Sequence, residues 1–253
     1  MKAILLAGGH GTRLQPLTYY CNKHLLPIYY KDKAVPLLEV VIKQLTEGLD
    51  IHDIAVVLGD FRAEDIITYL HKRQNELDAN FTYYYQGEPL GIAHAVTKAQ
   101  DFVKNEDWFF VMLGDNIFTK RLRPYFKKFL ELYEVNDVCK VLFAKVDNPS
   151  QYGSPEFRLP GNNPPKDLIK IVEKPETPQT NLALVGCYLF RTSSYFATYD
   201  KLKPSKRGEY ELTDLINSMI GKIKWDIYEG FWSDCGTFES LFKVNQKLRE
   251  LEE

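Results

Sequence analysis

The segment LLAGGHGTRL, residues 5–14, ends an apolar run in Gly8, Gly9 and Gly11, with the cation Arg13 just beyond. A glycine turn directly after a strand lets backbone amides approach a phosphate. A dinucleotide-binding loop reads GxGxxG, and the position of its last glycine is here Leu14, so that reading fails. A Walker loop needs a lysine after its last glycine, and none follows Gly11. What is left is a glycine turn carrying Arg13, with Lys23 further on in NKHLLP. Two cations beside a ring of amides suit a triphosphate. The plain alternative is a surface turn with two solvated cations.

Two carboxylates join them. LGDN, residues 113–116, places Asp115 where an apolar run ends, and ligands of open α/β sheets collect at such strand ends. WSDCGT, residues 232–237, places Asp234 at another strand-to-helix junction. Magnesium is commonly held by one or two carboxylates together with substrate phosphates. The pair could therefore hold Mg²⁺, although each aspartate alone could equally cap a helix or a turn. EKP, residues 173–175, sets Glu173 beside Lys174, a pairing that at a strand end is often merely solvated. His24 has no partner residues for a metal site and reads as packing. Tyr83, Tyr84 and Tyr85 read as strand residues facing alternate sides. The basic stretch KLKPSKRGE, residues 201–209, reads as a solvated loop.

These groups need a frame to bring them together. Apolar runs at Lys2–Ala7, 54–59, 81–86, 108–115 and 138–146 read as strands. Helical spacing appears at Leu37–Leu45, at Ala63–Leu70, over 91–103, and along the face Tyr125, Phe126, Phe129, Leu130 and Tyr133. The alternation predicts an α/β fold: a Rossmann-like, mixed but mainly parallel sheet flanked by helices. Beyond residue 146, the stretch 152–167 is rich in turn formers. The runs LIKIVEK and ALVGCYLF then read as strands, followed by a helix near Leu212–Ile220, a strand at Trp225–Tyr228 and a closing helix after Gly236. One domain over 1–253 is expected, with a second, small lobe built on the same sheet.

Composition narrows the class. The chain has 32 basic and 34 acidic residues and a net charge of -2, so no overall field attracts nucleic acid. No apolar stretch is long enough for a membrane helix, and the opening run is too short for a signal peptide. Cys21, Cys139, Cys187 and Cys235 lie far apart and read as reduced thiols. A cytoplasmic protein is expected.

LLAGGHGTRLQPLT, NKHLLPI, QGEPLGIAHA, LGDNIF, YGSPEF, VEKP, VGCYLF, RGEYELTD and WSDCGTFESL follow one another over almost the whole chain. In that order the chain resembles the sugar-1-phosphate nucleotidylyltransferases, most closely the short-form glucose-1-phosphate thymidylyltransferases. The resemblance implies that Gly8, Gly9, Gly11 and Thr12 wrap the nucleotide phosphates, with Leu6 near base and sugar. Gln86, Pro89 and Gly91 would hold the pyrimidine. Arg13 and Lys23 would be catalytic, Arg13 steadying the departing pyrophosphate, and Asp115 and Asp234 would bind Mg²⁺. Asn116, Gly153, Glu173 and Lys174 would serve the sugar phosphate, with Leu184, Gly186 and Tyr188 lining the sugar pocket.

The implied reaction transfers a nucleotidyl group from dTTP to glucose 1-phosphate, giving dTDP-glucose and pyrophosphate. Its nucleophile arrives ionised, which accounts for the lack of a convincing nucleophile-and-base pair in the chain. The expected partners are dTTP or UTP and a sugar 1-phosphate, with no nucleic acid and no membrane; the resemblance leaves room for a homo-oligomer. The alternatives are a uridylyl- or other nucleotidylyltransferase acting on another sugar 1-phosphate, and an inactive sensor of nucleotide sugars. Thr119 and Pro155 depart from the family's pattern. The sequence also stops soon after WSDCGTFESL, without the helices that form a regulatory site and a tetramer contact in longer members.

Overall fold

β1 (Lys2–Ala7) is buried from Ala3 onward, as a strand covered on both faces must be. Its side chains alternate: Ala3, Leu5 and Ala7 enter one core, Ile4 and Leu6 the other. The computed structural model describes residues 1–158 and 167–251. In chain order the further elements are β2 (Pro27–Tyr30), β3 (Lys33–Pro36), α1 (Leu37–Leu49), β4 (Asp53–Leu58), α2 (Ala63–Leu77) and β5 (Asn80–Tyr85). Next come α3 (Ile92–Thr97), α4 (Gln100–Val103), β6 (Trp108–Leu113), β7 (Asn116–Phe118), α5 (Arg123–Leu132) and β8 (Cys139–Lys145). The remainder holds β9 (Gly153–Phe157), β10 (Leu168–Glu173), β11 (Leu182–Arg191), α6 (Thr192–Tyr199), α7 (Leu212–Asn217), β12 (Ile223–Tyr228), β13 (Trp232–Asp234) and α8 (Phe238–Glu250).

Seven of the described strands form one sheet in the order β12-β8-β11-β6-β1-β4-β5. All its pairings are parallel except the two made by β11, which runs antiparallel to β6 and to β8. The sheet is thus mixed and mainly parallel, as the alternation predicts. One face carries α1, α2, α5 and α8; the other carries α3, α6 and α7. Tyr83 packs into the first core and Tyr84 into the second, and Tyr85 is exposed, which is the alternation expected of that strand. No helix among the described residues is long and apolar enough to cross a membrane.

Two local readings change, and one hairpin is added. The single helix expected over 91–103 is broken between α3 and α4. There Lys98 and Ala99 bond back to Ala95 and Val96, three residues away, and Thr97 Oγ1 donates to the His94 carbonyl at 2.7 Å. The start of the turn-rich stretch 152–167 is a strand, β9, paired with β10 despite Pro155. Pro155 stands opposite Ile171, whose N–H and carbonyl are both taken by the Asn217 side chain, at 2.7 and 2.8 Å. The missing proline donor is therefore not needed. Residues 159–166 of that stretch lie outside the described residues. Finally, PIYYKDKAVP forms the β2–β3 hairpin, which turns through Lys31 and Asp32 at φ 50° and 58°, the left-handed pair of a type I′ turn.

A buried charge locks α1 to α2. Glu39 is 1% exposed, and its carboxylate meets Lys43 at 3.0 Å, Arg73 at 3.5 Å and the Tyr69 hydroxyl. Burial alone would raise its pKa, but the Tyr69 hydrogen bond and the Lys43 cation outweigh it and hold the group below its usual value. Removing one member of such a buried cluster strands the others. Glu39→Ala should lower unfolding stability at neutral pH by about 3 kcal/mol, measured in urea. A folded pKa below the unfolded one contributes stability that is present above the unfolded value and lost as pH falls through the folded one. The gap between wild type and Glu39→Gln should therefore shrink as pH falls below the ordinary carboxylate range. Equal urea midpoints at neutral pH would refute the lock.

Candidate active site

The turn after β1 is built around a lysine. Gly11 sits at φ +68°, a left-handed conformation that glycine adopts without steric cost, and its carbonyl accepts from Thr18 Oγ1 at 2.7 Å. A Cβ at Gly9 would lie 3.0 Å from Lys23 Cε, and one at Gly11 would lie 2.9 Å from Lys23 Cβ. These glycines let the lysine stem run along the loop. Its Nζ then reaches Asp115 Oδ2 at 2.5 Å.

Asp115 follows β6, and its other oxygen, Oδ1, accepts from Asn116 Nδ2 at 2.8 Å. Asn116 is 1% exposed, and its Oδ1 accepts from the Gly186 amide at 3.0 Å and from Trp232 Nε1 at 2.8 Å. One side chain thus ties β7 to β11 and β13. A Cβ at Gly186 would collide with that Oδ1, so glycine is what permits the approach. β7 pairs antiparallel with β13, setting Asp234 opposite Asn116 in register.

Burial pushes Asp115 up, yet the Lys23 cation beside it holds its pKa at about 2. Asp234 is raised instead, by burial first and then by the charge of Asp115, while Arg13 and Lys23 pull the other way. Tyr152 donates its hydroxyl to Asp234 Oδ1 at 3.3 Å. Arg13 lies beside this carboxylate: a Cβ at Gly236 would sit 2.7 Å from Arg13 Nη2 and 3.0 Å from Asp234 Oδ2. His24 is buried next to Lys23, and burial followed by that cation lowers its pKa to about 3. Its Nδ1 sits 2.9 Å from Asn22 Oδ1, a packing role as the sequence suggests.

Two cavities meet at Asp115. The first, about 360 Å³, is lined by Leu6, Gly8, Gly9, Lys23, Gln86, Pro89 and Gly91 among others. Gln86 donates Nε2 to the Gly91 carbonyl at 3.2 Å, and its Oε1 would lie 3.0 Å from a Cβ at Gly8. The second, about 200 Å³, is lined by Arg13, Asn116, Gly153, Glu173, Lys174, Leu184, Gly186, Tyr188 and Asp234. Ile92, Leu113 and Asp115 belong to both. Gly11 and Thr12 line neither; they form the turn that delivers Arg13, which faces the second cavity rather than the first.

Glu173 is raised by burial, with the Lys174 cation opposing. Lys174 holds φ +46°, strained for a lysine, and its N–H donates to the Tyr152 carbonyl at 3.0 Å. That backbone, not a solvated pair, sets EKP against the cavity. The sequence reading left out Tyr152, Trp232, Glu209, Glu211 and Thr213, which also line these walls. RGEYELTD and YGSPEF were the available signals for most of them.

Asp115 and Asp234 offer hard oxygen donors, and the charge of Asp115 helps to raise Asp234. No cluster of three or more His, Cys, Asp or Glu forms among the described residues. Two carboxylates fit a magnesium ion that takes its remaining ligands from phosphates and water.

A family model described as nucleotidyl transferase matches residues 2–250. The low-salt glycan biosynthesis nucleotidyltransferase Agl11 of Haloferax volcanii is 37% identical over 254 positions, covering 99% of this chain and 66% of the relative. The glucose-1-phosphate thymidylyltransferase of Streptomyces griseus is 31% identical over 256 positions, covering 100% of this chain and 67% of the relative. The chain therefore spans about two thirds of the length of these relatives. A solved Bacillus anthracis protein in complex with a sucrose matches with TM-score 0.86 at 36% identity, over 99% of this chain and 96% of that one.

The Asn116 knot gives a direct test. Asn116→Ala would leave the Gly186 amide, the Trp232 indole N–H and an Asp115 oxygen without their partner. Each orphaned group costs roughly 1–3 kcal/mol. Urea unfolding should show a loss of about 2–4 kcal/mol for this variant. An unchanged midpoint would mean that the knot is not structural.

Proposed function

The chain belongs to the nucleotidyl transferase family, and from that premise we propose that it couples dTTP to glucose 1-phosphate, releasing pyrophosphate. One observation carries this reading: two cavities, one below the glycine turn and one beside Glu173 and Lys174, meet at Asp115 with Lys23 and Arg13 at the junction. In the reading, residues to about 115 bind the nucleotide and those from about 116 bind the sugar phosphate, within one domain. A cytoplasmic setting belongs to the same reading. The likeness to the glucose-1-phosphate thymidylyltransferase of Streptomyces griseus supports thymidylyl transfer to glucose 1-phosphate.

A sugar-phosphate oxygen attacks the α-phosphorus; that P–O bond forms as the bond to the β-phosphate breaks. No base is needed, because the nucleophile is already an anion. Lys174 and Glu173 hold the sugar phosphate, Glu173 accepting from sugar hydroxyls. Gly8 and Gly9, in the wall of the first cavity, receive the triphosphate. Lys23 and Arg13 stand where charge gathers on the leaving group, so their contribution is electrostatic. Mg²⁺ held by Asp115 and Asp234 would neutralise phosphate charge and polarise the reacting phosphoryl group.

Gln86 selects the base. With Nε2 tied to Gly91, its Oε1 is free to accept from the N3–H of thymine or uracil. Cytosine presents an acceptor there and would require the amide to flip against that tie. A pyrophosphate-release screen of nucleoside triphosphates with glucose 1-phosphate should show turnover with dTTP and UTP, little with CTP, ATP or GTP, and none in excess chelator. Gln86→Ala should erode the preference by about tenfold or more. GTP or CTP turning over like dTTP would overturn the base assignment, and full activity in chelator would overturn the metal role.

Gly236→Ala tests the placement of Arg13 and Asp234 without removing either. The added methyl would sit 2.7 Å from Arg13 Nη2 and 3.0 Å from Asp234 Oδ2, so both must give way. Turnover should fall by about a hundredfold while the melting temperature changes little. Normal turnover would mean that the reaction does not depend on this placement.

A further inference from the structure

A second cluster, at the other end of the sheet, takes no part in that reaction. Trp108 opens β6, whereas the catalytic cavities lie past its last residue, Leu113. β11 ends there on Arg191, and α6 begins at Thr192. The Arg191 guanidinium lies 5.0 Å from the Trp108 ring centre and 5.6 Å from that of Tyr133. These rings orient the cation without neutralising it. Its buried Nε has no hydrogen-bond partner, and Arg191 forms no ion pair among the described residues.

The start of α6 is equally unfinished. A helix N-cap is usually Ser, Thr, Asp or Asn, whose oxygen accepts one of the first N–H groups. Here the N-cap is Arg191, which makes no side-chain cap. The Thr192 amide goes to the Asp107 carbonyl at 2.9 Å, while those of Ser193 and Ser194 have no acceptor within the helix. Thr192 is only 6% exposed, yet its hydroxyl has no partner. Thr192, Arg191, Trp108, Ser193 and Lys104 line a cavity of about 540 Å³. Buried donors left without acceptors are costly, and two, Arg191 Nε and Thr192 Oγ1, stand at neighbouring residues here.

We propose that this cavity binds a phosphate group, either as the free ion or carried by a small phosphorylated molecule. A phosphate offers oxygens in several directions, which suits the arginine fork, the Thr192 hydroxyl and the amides of Ser193 and Ser194 together. A planar carboxylate would satisfy the fork alone. Lys104 adds charge at the rim, and the helix dipole favours an anion. Of the acids at the rim, Glu106 is engaged by the N-terminal ammonium at 3.4 Å and by Lys2 at 3.8 Å. Asp107 is exposed and opposes an anion, so the donors named must outweigh it.

The indole N–H signals of Trp108 and Trp232 separate this site from the catalytic one, because Trp232 lies in the wall of the second catalytic cavity. Inorganic phosphate, and in parallel glycerol 3-phosphate, would be titrated into the labelled protein and followed by NMR. The Trp108 signal should move saturably with at least one of the two. Saturation with both assigns the site to a phosphoryl group in general, and with inorganic phosphate alone to the free ion. Arg191→Gln should weaken the Trp108 response about tenfold and leave any Trp232 response in place. Thr192→Val, which keeps the side-chain shape, should weaken it several-fold and carries the test if Arg191→Gln loses the native spectrum. A Trp108 signal that stays fixed, or a response that both variants leave unchanged, overturns the proposal.

Discussion

A carboxylate held charged inside the protein needs compensation within hydrogen-bond reach, and the organisation around Asp115 follows from that need. Lys23 takes one oxygen and Asn116 the other. To arrive there, Lys23 must lie along the turn after β1, where only glycine leaves room for its stem. Asn116 must in turn anchor its own oxygen, and it does so on the Gly186 amide and the Trp232 indole. The antiparallel β11 and the short β7–β13 pair are thereby fixed to the end of β6. The charge at one residue propagates into the packing of three strands.

Several glycines share one reason in this site: each admits a polar side chain from another segment. Gly9 and Gly11 admit Lys23, Gly186 admits Asn116, and Gly236 admits Arg13. The contacts join segments distant in sequence, so rigidity comes from the close approach itself rather than from local propensity. A site whose chemistry depends on placing charge within about half an ångström benefits from such an arrangement.

This explains what could be read from the sequence. The strand–helix alternation gave the sheet because buried strands are apolar throughout, and Asp115 and Asp234 could be placed at strand ends, where ligands of such sheets collect. Gly9 and Gly11 read as a turn open to a phosphate with Lys23 nearby, but the packing of the lysine stem on both glycines and the pairing of its Nζ with Asp115 do not follow from spacing, since they form only through the tertiary fold. Asn116 looked like a ligand contact, and its anchoring of Gly186 and Trp232 appears only once β7 and β13 pair. The stretch 152–167 read as turn because what lets Pro155 sit in a strand, the Asn217 side chain on Ile171, comes from a helix some sixty residues away in the chain. The break between α3 and α4 leaves no trace in hydrophobic spacing, as it rests on a threonine bonding back to a carbonyl. The Lys174 backbone is likewise invisible to composition.

The same accounting bears on how the proposed reaction is prepared. In the protein alone, Lys23 neutralises Asp115, and Arg13 lies beside Asp234. The junction therefore holds its two cations and two carboxylates in near balance before any substrate arrives. A triphosphate with its counter-cation brings the same two kinds of charge. On the proposed reading, Lys23 and Arg13 can turn to phosphate oxygens while the carboxylates keep a positive neighbour, so little net charge is desolvated on binding. The unequal pKa directions fit this division, since Asp115 is firmly ionised by its lysine whereas Asp234 is raised by burial and by Asp115. An inactive sensor would need recognition of the phosphates but no such exchange between paired charges at the meeting point of two cavities, and this is the physical reason to prefer an enzyme.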